Sequence, residues 1–399
     1  MGYGPGRFLL VLMLSTWFLG GCTAGAPGPT PSPAPPGTTE PLERTILHFM
    51  EEGATSVVVQ VRWPGGEWSK AYGVRDLDTN DPARPQDRYT AASVTQSMVA
   101  AEVLKLVDEK RLELDRPVNA DLARLVPALK PPGDVTVREL LNHTSGLPDF
   151  RDALYRDLPV RDVLEKQLTP GQGLMLAAKL PWQSFNKGFF NYSESNYLAL
   201  GLLIEDVRGK PLAEVLQQDI FTALGLGRTS LGKQDRQARD NLHGYVTVGA
   251  SREDVTQAEY LVGSPAGGLV STTADTNGFY RALLSGRLLP QPLLAEMKNT
   301  GLGSHGLGLQ RFSISCASGY RFGQTGDVAG YLTSSVNSAD GGTQVAMAMA
   351  LPPMPADTDA AEVAGRVGLY SSQMVSASQE TLDKFCPDSS GGRPSTGRE

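Results

Sequence analysis

The stretch Ala92-Ser93-Val94-Thr95-Gln96-Ser97 opens a strongly helical segment of this 399-residue chain. Apolar side chains recur behind it at the spacing of one helix face, which predicts a helix over residues 94–110. Ser93 therefore lies at or just before a helix N-terminus, where the helix dipole favours negative charge. Gln96 follows one turn later, beside the serine. A serine on a rigid element is the first requirement of acyl transfer, and the second is a base that takes its proton.

Two further motifs follow in order, Asn191-Tyr192-Ser193-Glu194 and Gly323-Gln324-Thr325-Gly326. Together the three resemble the active-site motifs of the serine β-lactamase and penicillin-binding-protein family. The resemblance covers about residues 50–350 and includes segments 136–147 and 265–272. The most similar branch is the group of class C β-lactamases, D-alanyl-D-alanine carboxypeptidases and esterases.

The resemblance implies a role for several residues. Ser93 matches the acylated nucleophile, and Tyr192 matches the tyrosine that relays protons to the leaving group. The backbone N–H groups of Ser93 and Asp327 match the oxyanion hole. Thr325 and Gly326 match the strand that holds the carboxylate and the backbone of the substrate. No cofactor is implied.

Each motif departs from the family pattern at one residue. Gln96 stands where the family has lysine, and an amide is not a base at neutral pH. Glu194 replaces an asparagine that donates to the substrate, and an ionised carboxylate only accepts hydrogen bonds and repels an anionic substrate. Gln324 replaces a lysine or histidine near the substrate carboxylate. Gln96 and Gln324 are thus candidate substrate-binding residues, together with Thr325, Gly326 and Asp327.

Three functions are compatible with these departures. The first is an envelope binding or regulatory protein with impaired or no hydrolase activity, whose cleft descends from one for peptidoglycan stem peptides or β-lactams. The second is an active serine hydrolase of esterase, D,D-carboxypeptidase or β-lactamase type, in which Glu194 acts as base toward Ser93 through Tyr192. The third is a domain with a vestigial cleft that functions through another surface.

The N-terminal segment predicts export. Arg7 precedes an apolar stretch, residues 8–19, that is too short to span a bilayer comfortably, as in a signal peptide. Leu19-Gly20-Gly21-Cys22 resembles a bacterial lipobox. The resemblance implies cleavage before Cys22 and acylation there, which would anchor the protein to the outer face of the cytoplasmic membrane. The alternative is a plain signal peptide. Residues 23–39 contain only Ala, Gly, Pro, Ser and Thr, which is typical of an extended tether.

The remaining cysteines and the histidines carry less information. Cys316 and Cys386 would lie in an oxidising compartment, where we expect a disulfide; two separate buried thiols are the alternative. The four histidines are scattered, so no metal site is predicted. His143 is interpreted as a scaffold residue, and Trp63, Trp68 and Trp182 as packing or groove residues. A net charge of −7 without a long basic run does not favour nucleic acid as a partner.

Strand patterns lie at both ends of the chain and helical patterns lie between them. The order predicts an α/β (α+β) fold, β-lactamase/transpeptidase-like, in which one antiparallel sheet is flanked by terminal helices and accompanied by an inserted, mainly helical region. We expect one domain over residues 40–386, after the signal peptide (1–21) and the lipidated tether (22–39). A disordered tail (387–399) would follow.

Overall fold

The computed structural model describes residues 1–2, 37–182, 187–232, 238–256, 258, 262–301, 303–314, 319–355 and 360–386. The helices are α1 (Glu40–Glu51), α2 (Val94–Asp108), α3 (Asn119–Leu125), α4 (Val137–Leu141), α5 (Phe150–Asp157), α6 (Val160–Glu165), α7 (Pro170–Ala177), α8 (Ser195–Arg208), α9 (Leu212–Leu216), α10 (Thr273–Leu284), α11 (Gln291–Lys298) and α12 (Ala360–Asp383). The strands are β1 (Ser56–Trp63), β2 (Gly66–Asp76), β3 (Asp81–Pro82), β4 (Tyr89–Thr90), β5 (Ser230–Leu231), β6 (Tyr245–Val248), β7 (Ser251–Asp254), β8 (Leu269–Ser271), β9 (Gln310–Ser313), β10 (Tyr320–Val328), β11 (Tyr331–Asn337), β12 (Gln344–Ala350) and β13 (Met354–Pro355).

The main sheet has seven antiparallel strands in the order β3-β2-β1-β12-β11-β10-β9. Its centre joins the two ends of the chain, because β1 pairs with β12 from Ser56↔Ala350 to Arg62↔Gln344. Strands β11 and β12 are buried along their whole length, as expected for strands covered on both faces. The predicted antiparallel sheet is therefore confirmed.

The terminal helices cover one face of this sheet. Leu42, Ile46 and Phe49 of α1 recur at helical spacing and pack in one apolar cluster with Met374 of α12 and Val59 of β1. Neighbouring positions on β1 alternate between faces, so Val58 joins a second and larger cluster with α2, α8 and α10. Helix α2 thus lies between the sheet and the inserted region.

The inserted region is less purely helical than its sequence pattern suggests. Two small sheets of three strands, β4-β8-β5 and β13-β6-β7, combine four strands of this region with β4 and β13 from the segments before and after it. Their strands are two to four residues long, too short to show a clear period in the sequence. A π-helical turn, Gln217–Thr222, also interrupts the helix that the pattern predicts over residues 211–221.

Several other predictions fall at the edges of the described structure. Trp63 packs as predicted, stacking on Phe385 with ring centroids 5.6 Å apart. Arg321 of β10 lies 4.0 Å from Cys386 Sγ, just beyond α12. Cys316 and the lipobox lie outside the described residues, so the disulfide and the anchor stay predictions. Among the helices of the described ranges, none is long and apolar enough to cross a membrane.

Candidate active site

Ser93 lies at the N-cap of α2, as predicted, and the turn before it is held tightly. Ala92 has a φ of +50°, which is uncommon for a residue other than glycine. Its carbonyl accepts a hydrogen bond from Thr95 Oγ1 at 2.6 Å, and the carbonyl of Ala91 accepts one from Thr333 Oγ1 at 3.1 Å. These bonds fix Ser93 against the sheet.

Strand β10 approaches Ser93 at Gly326. A Cβ atom at Gly326 would lie 2.5 Å from Ser93 N, so only glycine allows this approach. Asp327 follows directly, which is where the implied oxyanion hole requires a second N–H. Strand β9 pairs with β10 only as far as Gly323, and in the described part of the chain no strand pairs with residues 324–327 on that side. The β10 edge beside the serine is therefore open to a ligand.

Tyr192 connects the serine to Gln96. The Tyr192 hydroxyl lies 2.8 Å from Ser93 Oγ and accepts a hydrogen bond of 2.6 Å from Gln96 Nε2. Burial of its hydroxyl end and the charge of Glu194 raise the pKa of Tyr192 above its ordinary value, although 36% of the residue stays exposed. Tyr192 therefore keeps its proton at neutral pH.

Gln96 is fully buried and its amide orientation is determined by its partners. The Ala266 carbonyl, 3.4 Å from Gln96 Nε2, can only accept, so the nitrogen faces it and Oε1 points away. Oε1 lies 3.2 Å from His143 Nε2, which must therefore donate. His143 Nδ1 then accepts from Ser193 N and Asn196 Nδ2, each at 3.3 Å, and the Ser193 carbonyl oxygen lies 3.2 Å from the same nitrogen. Every polar atom of the Gln96 side chain is thus engaged.

His143 is buried and neutral. Burial, with the His305 charge, lowers the pKa of His143 to about 3, although the Ser193 backbone opposes the shift. Its ring packs against Tyr192 with centroids 4.5 Å apart, and its backbone has a φ of +58°. His143 thus has the scaffold role predicted for it. Its bond to Gln96 was missed, because nothing in the sequence pairs residues 47 positions apart.

Glu194 has partners that the sequence did not indicate. Its Oε1 accepts a hydrogen bond of 2.8 Å from Arg151 Nη1, and its backbone N–H donates to Asp149 Oδ2 at 3.0 Å. Burial, and the charges of Asp149 and Asp327, raise the pKa of Glu194 to about 7 despite the opposing charge of Arg151. None of the hydrogen bonds described for the Glu194 carboxylate goes to Tyr192. The hydrogen-bond and ion-pair partner described for this carboxylate is therefore Arg151.

The third motif lies on β10. The sequence pattern predicts this strand over residues 320–324, and the strand extends four residues further, to Val328. Alternate residues of a strand share a face, so Gln324 lies on the face that Gly326 turns toward Ser93. Gln324 is buried, whereas Asp327 is exposed. Thr325 Oγ1 donates to Gln310 Oε1 of β9 at 3.0 Å.

Aromatic rings lie beside the hydrogen-bonded residues. Phe190 stacks on His305 with centroids 4.3 Å apart and lies 6.0 Å from the ring of His143. Phe190 is 48% exposed and Phe189 72% exposed. These rings offer an apolar surface near the serine. In the described ranges, no group of His, Cys, Asp and Glu side chains could hold a metal ion.

Known proteins share this architecture. The beta-lactamase family profile matches residues 42–369. Protein flp of Staphylococcus aureus (strain N315) is 26% identical over 246 residues, which cover 59% of this chain and 46% of that protein, so the match spans about half the length of this relative.

Two solved structures extend the comparison. A D-stereospecific amidohydrolase from a Streptomyces species has a TM-score of 0.71 at 25% identity, covering 85% of this chain and 98% of that one. The D-amino acid amidase from Ochrobactrum anthropi SV3 in complex with D-phenylalanine also has a TM-score of 0.71, at 23% identity, covering 87% and 98%. Because the family profile spans most of the sequence and the fold agrees, the chain belongs to the beta-lactamase family.

Proposed function

We propose that this protein is a serine hydrolase relative whose cleft binds peptidoglycan stem peptides, β-lactams or small esters and amides, but whose hydrolase activity is impaired or lost. The observation that carries the proposal is the set of hydrogen bonds made by the Gln96 amide. Its nitrogen donates to Tyr192 and Ala266, and its oxygen accepts from His143. An amide engaged in this way holds Tyr192 in place but takes no proton from it.

His143, the described neighbour of Gln96 with a basic side chain, does not replace the missing base. His143 uses Nε2–H to donate to Gln96 and keeps a pKa of about 3, so it does not face Tyr192 as an acceptor. The pKa of Tyr192 is itself raised, so its phenolate is scarce at neutral pH. Loss of one member of such a catalytic unit commonly lowers the turnover rate by several orders of magnitude.

The test is the intact mass of the protein after incubation with a penicillin or an activated ester. We expect little or no adduct on the natural chain. Gln96→Lys restores a base and is expected to give an adduct that the Gln96→Lys, Ser93→Ala double variant lacks. Gln96→Met, of similar length but without a base, is the matched control. A stoichiometric Ser93 adduct on the natural chain, with ester turnover, would contradict the proposal.

A second candidate is an active hydrolase that uses Glu194 as base through Tyr192. The 2.8 Å contact between Ser93 and Tyr192 supports it, as does a Glu194 pKa of about 7. The bond from Arg151 to Glu194 weighs against it. In the same assay, this candidate predicts a wild-type adduct that both Ser93→Ala and Glu194→Gln abolish.

The choice among ligand classes is also part of the proposal. The solved structures above are named as a D-stereospecific amidohydrolase and a D-amino acid amidase, which favours a small D-amino acyl amide as ligand. Phe190 and His305 offer an apolar surface for its side chain.

We further propose that Cys22 carries the lipid that anchors the protein to the outer face of the cytoplasmic membrane. The lipobox-like residues before Cys22, and the uncharged tether after it, support this location.

A further inference from the structure

Gln324 is a neutral residue at the point where the open edge of β10 begins, where the family pattern has a lysine or histidine. Its side chain is buried on the face that carries Gly326, whose Cβ position is 2.5 Å from Ser93 N. A ligand that is attacked by Ser93 and lies along residues 324–327 therefore passes this residue. An amide there offers hydrogen bonds but no charge to hold a carboxylate.

The charged groups nearest to this edge are mainly acidic. Asp327 follows Gly326 and is exposed on the opposite face of β10 from Gln324, and its charge still helps to raise the pKa of Glu194. Asp149 accepts from the backbone of Glu194 and raises the same pKa. Arg151 supplies a positive charge, but its Nη1 already donates to Glu194 at 2.8 Å. The carboxyl groups of Asp149, Glu194 and Asp327 are thus accompanied by one guanidinium, that of Arg151.

Two further positively charged side chains near β10 contact other groups. Lys298 Nζ donates to the Ala339 carbonyl at 2.7 Å and lies over the ring of Phe322. Arg311 donates to the Gly303 carbonyl at 2.8 Å and stacks on Tyr320. Neither side chain is directed to residues 324–327.

We propose that this cleft selects ligands without a carboxylate beyond the scissile bond, such as neutral amides and esters, and discriminates against their free-acid counterparts. The selectivity depends on Gln324 and on the exposed carboxylate of Asp327. Like charges in a partly buried cleft repel, whereas a neutral carboxamide bonds to an amide and to the strand edge. The inference rests on the proposed ligand-binding function and narrows its ligand class.

A pair of nearly isosteric ligands tests the inference. Binding of N-acetyl-D-alanyl-D-alanine and of N-acetyl-D-alanyl-D-alaninamide to the full mature chain carrying Ser93→Ala is measured by calorimetry at pH 7.5. We expect the carboxamide to bind at least about tenfold more tightly. Gln324→Lys and Asp327→Asn should each reduce the ratio, and Gln324→Lys should reverse it. Gln324→Met, which adds no charge, controls for side-chain size and should leave carboxamide preferred.

Because both ligands are measured on the same protein sample, partial misfolding of a variant does not alter the ratio. Equal binding of the two ligands, or tighter binding of the free acid, overturns the inference while the proposed ligand-binding function stands. A ratio that neither Gln324→Lys nor Asp327→Asn changes also overturns it. If neither ligand binds, the inference fails, and labelling of Gln96→Lys with an activated ester that lacks a carboxylate then decides separately whether the cleft retains an acylation site.

Discussion

At the scale of single residues, Gln96 holds the hydrogen-bond geometry of the site with an amide, which is not a base at neutral pH. Gln96 spans the distance from His143 to Tyr192, so the tyrosine hydroxyl stays 2.8 Å from Ser93 Oγ. The spacing of three residues in the sequence predicts that Gln96 lies beside Ser93. The contact with His143 could not be predicted, because it depends on a loop that returns to the helix from a distant part of the chain.

The buried carboxylate of Glu194 should make stability depend on pH. Its folded pKa of about 7 exceeds the ordinary 4.5, so between these values the folded state binds more protons than the unfolded state. The free energy of unfolding therefore falls as pH rises through this window. Glu194→Gln cannot ionise and still accepts the bond from Arg151. We expect its free energy of unfolding, relative to wild type, to rise between pH 5 and 8 by up to about 3 kcal/mol.

Urea unfolding at several pH values measures this difference. Glu67→Gln is the control, because the Glu67 side chain is 57% exposed and its partner Arg62 lies at 3.6 Å. The control should follow the wild-type dependence. Parallel curves for Glu194→Gln and wild type would contradict a raised pKa of Glu194.

At the scale of elements, the lengths of strands decide what the site exposes. Four extra residues place Thr325 and Gly326 on β10, whereas β9 ends its pairing at Gly323. The sequence pattern predicts a strand over residues 320–324, and the glycine and aspartate at positions 326 and 327 are residue types that are depleted in strands. Pairing with β11 overrides this local preference, since Gly326 lies opposite Thr333.

Helices α2 and α8 are joined by a buried ion pair. Arg208 donates to Glu102 Oε1 through Nε at 2.8 Å and Nη2 at 2.5 Å, and Glu102 is fully buried. Arg208→Met removes both of these bonds and leaves the buried Glu102 carboxylate beside Lys105 Nζ, which lies 3.6 Å from Oε2. We expect Arg208→Met to lower the free energy of unfolding by about 3–5 kcal/mol.

The control for this prediction is a surface pair of similar geometry. Arg124 donates to both carboxylate oxygens of Asp206, but the Arg124 side chain is 54% exposed. Arg124→Met should lower the free energy of unfolding much less than Arg208→Met does, because solvent screens an exposed pair. Both free energies are measured by urea unfolding. Equal losses of unfolding free energy for Arg208→Met and Arg124→Met would contradict a special contribution from the burial of Glu102.

At the scale of the whole molecule, the proposed membrane location depends on a segment outside the folded domain. If Cys22 is lipidated, the full chain expressed in a bacterial host should partition into the detergent phase of Triton X-114. Cys22→Ser should shift it to the aqueous phase, because two or more acyl chains are needed for firm anchoring. Thr23→Ser, one residue further on, is the control and should stay with the detergent. An aqueous wild-type protein would contradict the anchor and favour a plain signal peptide.

The sequence by itself determined the family and the order of the elements. The valine-rich sequence of β1 and the helical spacing of apolar residues in α1 and α2 are local properties, and the three motifs follow in the right order. These features need no knowledge of distant contacts, because periodicity reflects which face of an element is buried.

Only the tertiary structure decided the state of the site. It commits Gln96 to His143, Tyr192 and Ala266, and it pairs Glu194 with Arg151. These partners come from loops and helices that are far apart in the sequence. Their meeting depends on how the inserted region packs on α2, and no local spacing encodes that packing.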